Sequence, residues 1–363
     1  MNLTIGIVGL PNVGKSTLFN ALLKKQVADV ANYPFCTIEP NVGVIEVPDS
    51  RLVVLAKVVN TQKIIPAVVE FYDIAGLVKG ASTGAGLGNK FLSHIREVAA
   101  IVHVVRFFED SNIAHVSEKI DPADDIKTIN TELILADIAT LEKQPEPRMN
   151  ATKEERYTYD TVKILMGKLN QDITARNAKL DGDQLKSVSQ LNLLTLKPVI
   201  YVLNLSERQL EKIKDFEEKA KEILHEAGEK ADIVSLCAKL ENEVLSLNPE
   251  EQKEYLEQYS LSEIGLNRLV KKTYGILNLI SFLTAGEKEV RAWTITLGTL
   301  APQAAAVIHT DFEKHFIKAD IASYEDFVSL GGWVNVREEG KVFSAGKDYQ
   351  MKDGDVVEFK IGV

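Results

Sequence analysis

The sequence predicts an α/β protein: a parallel sheet flanked by helices, a helical insertion, and a small α+β module towards the C-terminal end. Three observations predict it. Short apolar runs alternate with helical stretches through residue 128, the pattern of a parallel sheet covered by helices. That pattern lapses over 129–196 and resumes at Pro198, so the intervening segment reads as an insertion. From residue 277 the texture changes again to short strands and turns. With 363 residues, 45% of them hydrophobic, two or three cores are favoured over one.

The elements follow in order. Leu3–Val8 is a nearly continuous apolar strand, and residues 15–25 have helical spacing. Val42–Val47, Ala67–Tyr72 and Ile101–Val105 are further strands. In the insertion, Leu133, Leu135 and Ile138 have helical spacing, and Gln144-Pro145-Glu146-Pro147 must break a helix because proline lacks the N–H. A projecting helical hairpin fits the polar character of this stretch, and a bundle extending the core is the competing reading. Pro198–Leu203 is the next strand, a charged helix spans 207–227, and Asp232–Val234 is a short strand. In the last segment Trp293–Leu297 reads as a strand and Pro302 as a helix start. Gly346–Tyr349 and Lys352–Phe359 read as strands joined by an Asp-Gly turn. The domains expected are 1–128 with 197–276, the insertion 129–196, and the module 277–363.

Net charge is −10, so general nucleic-acid affinity is not expected, although a local basic patch could still touch RNA. The two cysteines, Cys36 and Cys237, are far apart and lack metal-ligand spacing. No run of about 18 apolar residues occurs, and no charged segment with an apolar stretch precedes the first strand. The expectation is a soluble cytoplasmic protein with no membrane association, and a monomer.

Gly9-Leu10-Pro11-Asn12-Val13-Gly14-Lys15-Ser16 matches G-x-x-x-x-G-K-S between a strand and a helix, the context that motif requires. Glycines let the loop wrap phosphates, and backbone N–H groups of the loop and helix start, from Asn12 to Thr17, favour the anion. Lys15 is expected on the β and γ phosphates and Ser16 on Mg²⁺. Asp73-Ile74-Ala75-Gly76 closes a strand, where Asp73 would hold a water on Mg²⁺ and Gly76 would offer its N–H to the γ-phosphate. Thr37, between the first helix and the next strand, is placed to bring a second hydroxyl to Mg²⁺. Gly80, Gly84, Gly86 and Gly88 follow, a loop composition that suits a switch and equally a linker.

GTP-specific switch proteins carry N-K-x-D after a late strand, where the Asp pairs with guanine. The corresponding residues here are Asn204-Leu205-Ser206-Glu207. Glu is longer than Asp by about one methylene, enough to spoil a bidentate contact of roughly 2.7–3.2 Å. Asn204 keeps a donor and an acceptor that suit adenine N6 and N7, and Leu205 offers an apolar contact to a purine face. ATP is therefore expected to bind in preference to GTP. Ser235-Leu236-Cys237 would form the loop beneath the base.

Together these residues resemble the YchF family, the Obg-like ATPases of the translation-factor class of P-loop proteins. The stretches that carry the resemblance are Gly9–Asn20, Asn32–Pro40, Asp73–Gly88 and His309–Ile317. The resemblance implies a P-loop NTPase G domain with an inserted α-helical hairpin and a C-terminal β-grasp (TGS) domain. It also implies ATP preference through N-x-x-E, and a slow ATPase acting as a switch on the ribosome, on the large subunit or the whole particle, with RNA contact through the hairpin or the TGS domain. Pro145 and Pro147 depart from the long uninterrupted helices of the family hairpin.

Where Ras-like enzymes have a water-orienting Gln after D-x-x-G, this chain has Leu77, which has no hydrogen-bonding atom. Slow turnover is the expectation. His115, at a strand-to-helix connection where the family also has a histidine, is one candidate to position water; an ordinary surface histidine is the alternative, and His94 is a lesser candidate. Asn12 is where related NTPases with a hydrophobic residue after D-x-x-G hold K⁺, a second candidate. Two other functions compete: an Obg-like GTPase with relaxed base choice, and a nucleotide-gated binding module without an enzymatic role.

Overall fold

The computed structural model describes residues 3–29, 41–74, 86–110 and 120–362. Thr37, Gly76, Leu77, Gly80, Gly84 and His115 lie outside them. In chain order the strands are β1 (Thr4–Val8), β2 (Val42–Glu46), β3 (Ile64–Ile65), β4 (Val68–Asp73), β5 (Ala100–Arg106), β6 (Val199–Asn204), β7 (Asp232–Leu236), β8 (Leu279–Ala285), β9 (Val290–Thr296), β10 (Phe316–Ala322), β11 (Phe343–Ala345) and β12 (Val356–Ile361). The helices are α1 (Lys15–Asp29), α2 (Ser50–Val58), α3 (Gly86–Glu97), α4 (Pro122–Leu141), α5 (Lys153–Leu169), α6 (Gly182–Val188), α7 (Ile213–Glu226), α8 (Ala238–Val244), α9 (Pro249–Gln258), α10 (Gly265–Ile276), α11 (Ala301–Ile308), α12 (Asp311–Lys314), α13 (Tyr324–Leu330) and α14 (Trp333–Glu338).

Six strands form one sheet in the order β2-β4-β1-β5-β6-β7, and β4, β1, β5, β6 and β7 run parallel. Every residue of β5 and β6 is buried, as strands covered on both faces require. Parallel pairing puts the carboxyl ends of these strands along one edge, where open α/β sheets bind ligands.

The insertion is a helical hairpin. α4 is capped by Asp121, which accepts from the N–H groups of Ala123 and Asp124. It ends at Leu141, and α5 starts at Lys153 behind a capping box between Thr152 and Glu155. Pro145 and Pro147 occupy the connection. Ile134, Leu141, Val162, Leu165, Leu169 and Val188 form an apolar cluster of the insertion's own. α4 also packs on β5 and α7, so its first helix belongs to the hairpin and to the cover of the sheet. At its base, Glu229 accepts from Asn130, Thr174, Arg176 and Asn177.

The other sheet runs β11-β10-β12-β8-β9-β3, with β12–β8 and β9–β3 parallel and the other described pairs antiparallel. Phe282, Ile295, Phe316, Ile321 and Val357 build its core with Ala301, Ala304 and Ala305 of α11. Two sequence expectations are corrected here. Gly346–Tyr349 is a turn and the strand lies earlier, at Phe343–Ala345. Asp353-Gly354 is a turn, with Gly354 at φ +85°, but β11 and β12 do not pair with each other; both flank β10.

The chain divides into two compact units: 1–24, 38–43 and 70–269; and 25–37, 44–69 and 270–363. Within the second, the segment that carries α2 and β3 is built into the sheet. Ile64 and Ile65 pair with Val290 and Arg291, and Lys63 bonds Glu289 at 2.6 Å. Arg51 bonds Asp353 at 2.8 Å, and Asp353 also accepts from the N–H of Ser281.

Candidate nucleotide-binding site

β1 ends at Val8, and the chain turns through Gly9 (φ +155°), Asn12 (φ +63°) and Gly14 (φ +99°) before α1 begins at Lys15. Glycine is required at Gly14 twice over. Its backbone is in the region L side chains rarely adopt, and a Cβ there would lie 2.1 Å from Nδ2 of Asn204. The amino terminus of α1 faces a cavity of about 630 Å³ lined by Asn12, Gly14, Lys15, Ser16 and Thr17 at one end. Anions are favoured there by the unpaired N–H groups of a first helical turn.

Lys15 is 7% exposed, and its Nζ donates to the carbonyls of Gly9 at 2.9 Å and Leu10 at 2.7 Å. Burial lowers its pKa to about 8, against the opposing pull of Asp73. Asp73 closes β4, level with Ile7 of β1. Burial raises its pKa, and the Lys15 ammonium partly offsets that. The hydroxyl of Ser16 and the carboxylate of Asp73 are hard oxygen donors, the kind that suits a Mg²⁺ bound by one or two side chains and by phosphates. Among the described residues no cluster of three His, Cys, Asp or Glu side chains could hold a metal alone.

The other end of the cavity is formed by Asn204, Leu205, Ser206 and Glu207 after β6, and by Cys237, Ala238, Lys239, Leu240 and Glu243 after β7. Asn204 is 4% exposed; Nδ2 donates to the Val13 carbonyl at 2.8 Å, and Oδ1 accepts from the Ala238 N–H at 3.0 Å. One N–H and one lone pair of the amide remain beyond these two bonds. Leu205, although it lines the cavity, is 1% exposed, and its N–H bonds the Leu236 carbonyl. Glu207 is exposed and opens a 3₁₀ helix, Glu207–Lys212, behind a capping box between Ser206 and Gln209.

Two expected base-site residues are not on the wall. Ser235 is fully buried with its hydroxyl on Glu217, and Leu236 is in the core. Both still lie within β7, where side chains point to one buried face of the sheet or the other and not past its end, and Cys237 is the first residue beyond the strand to reach the cavity. Val13 likewise is buried and contributes backbone only. Gly86 and Gly88, read from the sequence as loop glycines, lie in α3, and His94 is exposed on the same helix.

The sequence reading missed Phe108, Glu109 and Asp110, which also line the cavity. Arg106, 1% exposed, folds back to the carbonyls of Phe108 and Asp110 and stacks its guanidinium 4.4 Å from the Phe108 ring. That arrangement holds an aromatic ring at the base end. An aromatic just beyond a strand's carboxyl end is the signal that could have found it.

A phosphate-cradling loop at the end of β1, an acid at the end of β4 and a base-sized recess past β6 and β7 define a P-loop nucleoside triphosphatase with the fold of the switch GTPases, a class that works with a divalent metal such as Mg²⁺. A family model described as 50S ribosome-binding GTPase matches residues 4–136, and a model of the C-terminal domain of YchF GTPases, described as a protein of unknown function, matches 279–362. The chain is 50% identical to the ribosome-binding ATPase YchF of Bacillus subtilis and 47% identical to that of Escherichia coli O157:H7, in each case over all of both chains. The structure of the Schizosaccharomyces pombe YchF GTPase is similar with a TM-score of 0.89 at 38% identity, covering 99% of this chain and 98% of that one. The chain belongs to the YchF family.

Proposed function

We propose that this chain is a Mg²⁺-dependent ATPase that acts as a nucleotide-dependent switch on the ribosome in the cytoplasm. The observation that carries the nucleotide reading is the single cavity that joins Gly14–Thr17 to Asn204, Leu205 and Glu207. Ribosome binding rests on relatives that carry it in their names across the full length of the chain. No helix among the described residues is long and apolar enough to cross a membrane.

Each residue has a role in this reading. The loop N–H groups and Lys15 bind the β and γ phosphates, Ser16 and Asp73 would hold Mg²⁺ (Asp73 through water), and Thr37 would join them in the triphosphate state. Bound Mg²⁺ would neutralise charge that develops between the β and γ phosphates. Gly76 donates its N–H to the γ-phosphate. Asn204 holds the phosphate loop to the base loop and offers its remaining N–H to the base, with Leu205 and Cys237 as apolar wall. Glu207 in place of Asp disfavours guanine, so GTP binds more weakly. Leu77 leaves the attacking water without a Gln partner, so turnover is slow; His115 or a K⁺ held at Asn12 completes the site. The parts are a G domain (1–128 and 197–276), a hairpin (129–196) and a TGS domain (277–363), with the hairpin or the TGS domain contacting RNA and the large subunit or the whole ribosome as the docking partner of a monomer.

Calorimetric titration of ATP and GTP with Mg²⁺ tests base choice; tighter GTP would sink the ATP reading and leave an Obg-like GTPase. Cosedimentation with ribosomes in ATP and in ADP tests the switch, and equal binding in both overturns it. A His115→Ala chain with unchanged turnover, or equal rates in K⁺ and Na⁺, removes the respective candidate.

A further inference from the structure

Glu207 is not a free carboxylate at the mouth of the cavity. Its Oε1 accepts a hydrogen bond of 2.6 Å from the phenol of Tyr259, 52 residues further along the chain. Tyr259 caps the carboxyl end of α9, and its ring lies 4.9 Å from that of Tyr255, one turn earlier. The two rings set where the phenol sits, and the phenol sets where the carboxylate sits. The bond to Glu207 is also the chief reason the Tyr259 phenol holds its proton above its ordinary range, so it stays a donor.

The chemistry of the two purines gives this bond a consequence. Guanine presents two adjacent donors, N1–H and the 2-amino group, and a carboxylate reads them with both oxygens side by side. Adenine presents one exocyclic amine next to a ring nitrogen that only accepts, so a single oxygen is all it can use. We propose that Tyr259 is a specificity-positioning residue: its bond takes one of the two lone pairs of Oε1 and ties the Glu207 carboxylate down, which weakens the side-by-side pairing that guanine needs and so disfavours guanine. This rests on the ATP preference proposed above and names a second residue that enforces it. Tyr259 touches no part of the nucleotide in this scheme and acts only through Glu207.

The test is a double-mutant cycle read as the ratio of GTP to ATP dissociation constants, measured by calorimetry with Mg²⁺. The Tyr259→Phe chain keeps the ring against Tyr255 and loses only the hydroxyl. Its ratio is expected to fall by roughly two- to tenfold, the span of one net hydrogen bond. The same substitution in a Glu207→Ala chain is expected to leave the ratio where Glu207→Ala alone puts it. An unchanged ratio in an ATP-preferring chain overturns the proposal alone, and so does an equal shift with Glu207 absent, which would mean a purely structural role. A wild-type chain that binds GTP more tightly overturns the ATP reading and this inference with it.

Discussion

The side-chain amide of Asn204 donates to the backbone carbonyl of Val13 across 191 residues of sequence, at 2.8 Å. Its oxygen accepts from Ala238 at 3.0 Å. One buried amide therefore joins the phosphate loop, the strand β6 and the loop after β7. In an Asn204→Ala chain the Val13 carbonyl and the Ala238 N–H both lose their partner. The expected cost is about 2–4 kcal/mol of stability, read by urea denaturation, with ATP affinity falling by roughly tenfold or more.

Gly14→Ala is expected to act on the same contact from the other side. Its Cβ would meet the Asn204 amide at 2.1 Å, and the φ of +99° adds backbone strain of about 1–3 kcal/mol. Nucleotide binding should be lost in calorimetry. Gly182→Ala is the control: nothing lies within 4 Å of its Cβ, and it should bind as the parent does.

His103 lies inside the sheet, level with Val8 and Tyr201, with Nε2 buried and without a hydrogen-bond partner. Burial lowers its pKa to about 3, with Arg176 and Lys15 adding to the shift. The unfolded chain binds this proton below about pH 6.5 and the folded chain does not. Stability is therefore whole above that pH and falls towards pH 3, by up to about 1.4 kcal/mol per unit. In a His103→Leu chain the melting temperature should decline less steeply between pH 6.5 and 4; identical profiles would show that other groups govern the acid limb.

Asp137 is fully buried, and its two oxygens accept from the N–H groups of Leu194 and Thr195 and from the Thr195 hydroxyl, at 2.6–2.8 Å. Burial raises its pKa, and these bonds oppose the rise. Asp137→Ala leaves three donors without an acceptor and should cost about 3 kcal/mol. Hydrogen exchange should quicken first at the amides of Leu194 and Thr195.

The phosphate loop was legible because its information is local: glycines, Lys15 and Ser16 are adjacent in sequence, and the motif demands a strand before and a helix after. β6 was legible as an apolar run, and β5 as one interrupted only by His103. The base end was legible only in part. Asn204, Leu205, Glu207 and Cys237 reach the cavity, but whether Ser235 faces it depends on strand register, which one apolar run does not specify. Phe108 and Tyr259 went unseen because their positions depend on partners elsewhere, a folded-back arginine for one and a carboxylate 52 residues away for the other. The strand near residue 345 was misplaced because Gly346-Lys347-Asp348 has turn composition, and a three-residue strand has too few positions to show alternation.

The pairing of Ile64 and Ile65 with β9 bears on biosynthesis. A polypeptide cut to residues 277–363 would leave the N–H and C=O groups of Val290 and Arg291 open along an edge, a template for aggregation. Such a fragment should be sticky where the intact chain is not. During translation, residues 63–65 emerge more than two hundred positions before β9, so this sheet closes late and waits on the last part of the message to be read.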